Sequence, residues 1–239
     1  MSMRRVRLAV VAFAGLAALV TGAAAGVARE SVSGRAEARR AQSGGLPPLP
    51  GSCRVPRSAL SAGSRAVGQP SRGRLVNGVP FPEESDYAFT WEFLTETTPS
   101  PEWRRWGTEK LVLTAQCVLA SFGDRHPERA RVGVADLSRP RGGPFGRRYA
   151  GGLGHASHQN GLDVDILDPR WDLCECPAES WADVDYGATQ ELIDAFVRAG
   201  AEYIFVSPSL HRRRLLRGPR GVVIPLRFHD THLHVRIRS

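Results

Sequence analysis

Lysine is almost missing from this 239-residue chain: Lys110 stands alone, and every other member of the 32 basic residues is arginine. No Ser-x-x-Lys tetrad therefore exists, which excludes a serine nucleophile activated by a lysine three residues on. No His-Glu-x-x-His pentad occurs either, so a helix-borne zinc site with an adjacent glutamate base is excluded. No internal repeat is legible, which argues against solenoids and propellers. Basic residues do not alternate with aromatics along any stretch, so no groove for single-stranded nucleic acid is readable. Histidine is scarce as well, seven in all, and its distribution carries most of the information.

Five of the seven histidines fall in two tracts, Gly154-His-Ala-Ser-His-Gln-Asn-Gly-Leu-Asp-Val-Asp165 and His229-Asp-Thr-His-Leu-His234. In the first, six residues separate His158 from Asp165. In the second, one residue separates His232 from His234, and Leu233, Val235 and Ile237 alternate with them as in a strand. A period of two places His232, His234 and Arg236 on one face. Imidazole nitrogen with carboxylate oxygen is a donor set for zinc, and three protein ligands with an open fourth position mark a catalytic site. Asp163 shares a face with Asp165 if Leu162–Ile166 is a strand. It reads as an acceptor fixing a histidine N–H, with direct ligation or substrate binding as the alternative. Arg236 reads either as a fork for a substrate carboxylate or as a surface arginine.

The amino terminus has the layout of an export signal. Arg4, Arg5 and Arg7 precede an apolar run from Leu8 to Val20, and small residues follow to a cleavage position near Ala25. An uncleaved membrane anchor is the alternative for residues 1–25. Residues 26–59, rich in Arg, Ala, Ser, Gly and Pro, read as a disordered linker ending near the stiff Leu46-Pro-Pro-Leu-Pro50. Residues 60–239 suffice for one core. Apolar spacing predicts helices over Thr108–Phe122 and Thr189–Ala199, the second capped by Thr189 and closed by Gly200, and a short basic helix over Ser209–Leu216. Strands are predicted over Arg131–Asp136, Leu162–Ile166, Tyr203–Ser207 and His232–Ile237. Without a regular βαβ rhythm this is an α+β domain, a small, mainly antiparallel sheet with flanking helices. Four cysteines in an exported chain suggest disulfides; Cys174 and Cys176, too close to favour each other, are expected to pair with Cys53 and Cys117, with a simply buried Cys117 or a Cys-x-Cys metal site as the alternatives.

The two tracts, with Gly142-Gly143, Ser64…Gly68, Gly73-Arg-Leu-Val-Asn-Gly78, Trp106-Gly-Thr108 and Asp136-Leu-Ser138 in order, resemble the penicillin-insensitive murein endopeptidases. The resemblance spans about residues 60–239, and Ala135 departs from it where glycine is expected. It implies a hedgehog/D-Ala-D-Ala-peptidase-like zinc metallopeptidase fold, with His158, Asp165 and His234 as Zn2+ ligands. It makes His232 the catalytic base or transition-state stabiliser, and sets His155 and His229 along the cleft. The implied activity is D,D-endopeptidase cleavage of peptidoglycan cross-links, D-alanyl to meso-diaminopimelate, by zinc-activated water. The alternatives are a D,D-carboxypeptidase or dipeptidase on the same stem peptides, a metal-dependent nuclease, and a zinc-binding module without catalysis. Peptidoglycan is the expected partner and nucleic acid is not. A membrane is met only through the possible anchor, and the expected location is the periplasm or extracellular envelope. The net charge of +8 suits an anionic partner.

Overall fold

The computed structural model describes residues 51–145 and 155–239. The expected leader and residues 26–50 of the expected linker lie outside them. Among the described residues no helix is long and apolar enough to cross a membrane. Packing starts before residue 60: Cys53 and Val55 are buried, and Arg57–Ala59 form a 3-10 turn.

Among the described residues, ten strands alternate irregularly with three α-helices. They are β1 (Arg65–Gln69), β2 (Arg72–Val76), β3 (Val79–Pro80), β4 (Ala88–Thr90), β5 (Trp106–Gly107), α1 (Glu109–Arg125), β6 (Val132–Val134) and β7 (Asp163–Leu167). Then follow α2 (Tyr186–Ala199), β8 (Ala201–Val206), α3 (Pro208–Arg212), β9 (Val223–Pro225) and β10 (His232–Ile237). The principal sheet has the order β4-β6-β7-β10-β8-β9, with β1-β2 and β3-β5 as small ribbons. The expected α+β class is what is found. The inner pairings of the principal sheet are antiparallel, whereas both edges, β4-β6 and β8-β9, are parallel.

Helix α1 forms where it was expected because Thr108 accepts from the Leu111 N–H, satisfying a donor left over at the helix start. Its stripe of Leu111, Ala115, Val118, Leu119 and Phe122 is buried with Leu192, Ile193 and Phe196 of α2 and the inward side chains of β7 and β10. Helix α2 starts three residues before the expected Thr189. Asp185 is the cap, accepting from the Ala188 N–H, and Thr189 donates back to the Asp185 carbonyl. The first turn, Tyr186-Gly187, breaks the apolar stripe that the sequence offers. Helix α3, by contrast, is shorter than the expected Ser209–Leu216. Ser207 caps it, and the left-handed Arg214 ends its run.

One disulfide expectation is corrected. Cys53 pairs with Cys117 of α1, but Cys174 pairs with Cys176. The two Cα atoms lie 5.3 Å apart, inside the range a disulfide spans. Arg131 holds the intervening Glu175 through its Nε at 2.9 Å and its terminal nitrogen at 2.6 Å.

Beyond β7 lies a buried carboxyl that no local donor serves. Asp168 is 2% exposed, and neither side-chain oxygen has a hydrogen-bond partner among the described residues. Burial, aided by the nearby Asp230 carboxylate, raises its pKa well above the ordinary value. The folded chain thus binds this proton more tightly than the unfolded chain. Its stability is fully present below the unfolded pKa of about 3.9 and falls as pH rises toward the folded value. Asp168→Asn should therefore stabilise the protein at neutral pH by about 1–3 kcal/mol and change little near pH ~3. Urea unfolding at the two pH values measures this; equal shifts at both would refute it.

Candidate metal centre

The site is built on one strand pairing. β7 and β10 run antiparallel with His234 opposite Asp165 and Arg236 opposite Asp163. Alternation sends Val164, Ile166, Leu233 and Val235 into the helical core, so the opposite faces of both strands carry Asp163, Asp165, His234 and Arg236. All four are nonetheless buried, because loops cover that face. His158 reaches it from the loop before β7. Its backbone is left-handed, φ 64°, an uncommon state for a non-glycine residue. The Asp163 carboxylate helps to hold that turn by accepting the His158 N–H at 3.0 Å.

Hydrogen bonds fix which ring nitrogens face inward. His158 Nδ1 lies 2.6 Å from the Leu137 carbonyl, which can only accept, so Nδ1 carries hydrogen and Nε2 presents its lone pair. His234 Nε2 donates to Asp163 Oδ1 at 3.1 Å, which leaves Nδ1 as the basic nitrogen. These two nitrogens lie 3.2 Å apart. Asp165 Oδ1 is 3.4 Å from His158 Nε2 and 3.0 Å from His234 Nδ1. Among the described residues, neither Asp165 oxygen has a donor aligned on it within hydrogen-bond geometry. Three electron-rich atoms thus converge in a buried place. Donors around a tetrahedral zinc, at bond lengths of about 2.0–2.1 Å, stand roughly 3.3 Å apart. The residues fit such an ion.

A second layer backs both sides of this triangle. Arg236 grips Asp163 with its Nε at 2.8 Å and with a terminal nitrogen. Arg104, as deeply buried, grips Asp136 with two bonds of 2.6 and 2.7 Å and lies 3.2 Å from Glu92. Asp136 in turn bonds His155 Nε2 at 2.7 Å, so His155 turns Nδ1 toward Asp165, 3.9 Å away. His155, His158 and Asp165 also bring ligand atoms within 4.8 Å of one another, which makes His155 a competing third donor. The His234 triangle is the tighter, and its atoms already face one another.

The charges follow from these contacts. Burial disfavours ionisation of Asp163 and Asp165, but the surrounding histidines and, for Asp163, Arg236 outweigh it and hold both carboxyls below their ordinary range. Against its own burial, the carboxylates of Asp163 and Asp165 push His234 up to about 9. His155 is likewise raised, burial being overcome by Asp136 and Asp165. His232 goes the other way: burial pushes it down to about 4, only partly countered by Asp165. His229 is also lowered by burial. Its Nδ1 donates to the Arg227 carbonyl at 2.9 Å and meets the Leu226 carbonyl at 3.2 Å, leaving Nε2 basic.

Every site residue expected from sequence comes to this one region. His155 and His158 rings are 4.4 Å apart, His158 and His234 4.7 Å, and His229 and His232 5.0 Å. Arg236 is turned inward onto Asp163, not to the surface. The sequence reading gave no role to Arg104, Asp136 or Glu92. Asp136-Leu-Ser138 was visible as a block, but nothing in it announces a carboxylate aimed at His155. The remaining histidines stand apart from the cluster, His126 bonding Glu191 of α2 at 2.7 Å.

The sequence pattern of the penicillin-insensitive murein endopeptidases matches residues 66–186, half the chain, including the His155–Asp165 tract; β10 lies beyond it. A penicillin-insensitive murein endopeptidase of Yersinia pestis bv. Antiqua (strain Antiqua) is 28% identical over 212 residues, covering 74% of this chain and 67% of that protein. The penicillin-insensitive murein endopeptidase of Yersinia pseudotuberculosis serotype I (strain IP32953) aligns with the same identity and coverage. That of Yersinia enterocolitica serotype O:8 is 27% identical over 207 residues, with equal coverage of both chains. With the match running through the loop that delivers His158 and the strand that carries Asp165, the chain belongs to the penicillin-insensitive murein endopeptidase family.

Proposed function

We propose that this protein is a zinc-dependent D,D-endopeptidase of the bacterial envelope that hydrolyses peptide cross-links of peptidoglycan at the D-alanyl–meso-diaminopimelate bond. The observation that carries the reading is the buried triangle of His158 Nε2, Asp165 Oδ1 and His234 Nδ1, with edges of 3.0–3.4 Å, in a chain of this family. Zinc bound there supplies Lewis-acid activation of water and of the scissile carbonyl. The protein's own groups do the rest. Asp163, clamped by Arg236, holds His234 in the tautomer that offers Nδ1. His232, two residues from His234 on the same strand face, is the proton carrier. Burial keeps its ring neutral at pH 7, the form that accepts a proton from water and passes it to the leaving amine. His155 and His229 line the cleft, their ring orientations fixed by Asp136 and by the Leu226 and Arg227 carbonyls. The disulfides fit an exported enzyme.

Purified protein incubated with cross-linked muropeptide dimers should release monomers. Removal of terminal D-Ala with dimers left intact would make it a carboxypeptidase instead, and cut DNA beside intact dimers a nuclease. A chelator should abolish the activity, added zinc should restore it, and penicillin should leave it unchanged. Covalent labelling by penicillin together with activity that survives chelation would exclude the mechanism.

His158→Ala, Asp165→Ala and His234→Ala should each lower bound zinc, read by elemental analysis of the folded protein. Asp163→Ala should weaken zinc binding by about 10–100-fold without removing a ligand. Full occupancy in the three ligand variants would reassign the site, with His155 the next donor. His232→Ala should keep zinc but lose turnover by about 10²–10⁴-fold. Parallel loss of zinc and activity would instead make His232 a ligand.

A further inference from the structure

The arginines are not spread evenly over this surface. Between Glu202 and Asp230 the sequence contains no acidic residue but six arginines: 212, 213, 214, 217, 220 and 227. All six are exposed, and none forms an ion pair among the described residues. Several arginines elsewhere do have carboxylate partners: Arg129 has Asp185, Arg131 has Glu175 and Arg170 has Asp172. Like charges gathered without counter-charges repel, so the folded state gains nothing from this concentration.

Its position suggests what it serves. The segment leaves the sheet at Ser207, whose hydroxyl donates to Asp230 at 2.5 Å, just ahead of His232. It carries α3, runs past α2, where Gln190 pairs with both backbone groups of Arg217, and joins β9 parallel to β8. It then returns through Arg227 to His229, in the histidine cluster. Both its ends therefore stand at the catalytic end of β10. Guanidinium forks suit carboxylates, and an insoluble substrate must be held while one bond at a time is cut.

We infer that the arginine-bearing segment from Ser207 to His229 is a docking surface for the polymeric substrate, binding free carboxylates of peptidoglycan stem peptides outside the cleaved bond. This rests on the substrate class given under Proposed function. It adds that affinity for the intact wall and turnover of a small soluble fragment are carried by different residues.

The test uses the full chain and a combined variant, Arg212→Gln, Arg214→Gln, Arg217→Gln and Arg220→Gln. Arg213 is kept because it stacks on Trp181 at 4.3 Å. Co-sedimentation with purified sacculi at low salt should show about tenfold weaker binding by the variant. The difference should close as salt approaches ~1 M, where screening acts within about 3 Å. Hydrolysis of soluble muropeptide dimers should match wild type, and the corresponding four-lysine variant should bind sacculi almost as wild type does. Unchanged binding and salt dependence in the glutamine variant would overturn the inference. So would equal loss in the lysine variant, or loss of DNA binding alone. Failure of the wild-type protein to cut soluble dimers would strike the substrate reading instead, leaving the sacculus comparison to be read on its own.

Discussion

The antiparallel register between β7 and β10 is the constraint on which the site depends. It sets His234 against Asp165 and Arg236 against Asp163, one ligand candidate and one supporting residue from each strand. A slip of one residue in either strand would send that strand's two polar side chains into the helical core and turn its apolar pair, Val164 and Ile166 or Leu233 and Val235, away from it. The same hydrophobic burial that folds the domain therefore also specifies the site. Alternation alone enforces it, because the core face of these strands consists of β-branched and leucine side chains with no polar atom to place.

Concentrating this much charge in a buried region is expensive, and the chain offsets the cost by arranging its ions in chains. Arg236–Asp163–His234 and Arg104–Asp136–His155 repeat one motif: a guanidinium fork on a carboxylate, and the carboxylate on an imidazole. Each carboxylate has its lone pairs spoken for, and each ring has a set tautomer. Asp165, where the two chains converge, is the exception, with negative charge and no donor aligned on it among the described residues. Buried ion pairs seldom add net stability, and their rigid geometry is what such an arrangement supplies. Here it fixes the directions of imidazole lone pairs, which a donor set for a metal needs before the metal arrives.

Much of this was legible in the sequence, for identifiable reasons. The ligand candidates stood out because histidine is rare in the chain and clustered in two tracts, and because Leu233, Val235 and Ile237 betray a strand. Helix α1 was legible because Thr108 and an unbroken apolar stripe agree. Arg104 and Asp136 were not, since a buried pair assembled from residues 32 positions apart leaves no local pattern. The start of α2 was missed because Tyr186 and Gly187 interrupt the periodicity while Asp185, the true cap, lies before it. The inward turn of Arg236 became visible only once the register placed Asp163 across from it. The parallel edges β4 and β9 are three-residue strands, too short for any period to show.

The two disulfides act on quite different lengths of chain. Cys53–Cys117 closes a loop of 64 residues, and by chain-entropy reasoning removes roughly 4 kcal/mol of freedom from the unfolded ensemble. Cys174–Cys176 closes a ring around a single residue, too small to restrict the unfolded chain to a comparable extent. The first is a global fastener joining the segment around Cys53 to a core helix. The second is a local mould, shaping one loop so that Glu175 meets Arg131. Reducing conditions would therefore act on the molecule in two separable ways: opening the larger ring lowers the stability of the whole domain, while opening the smaller one alters only the outline of one loop.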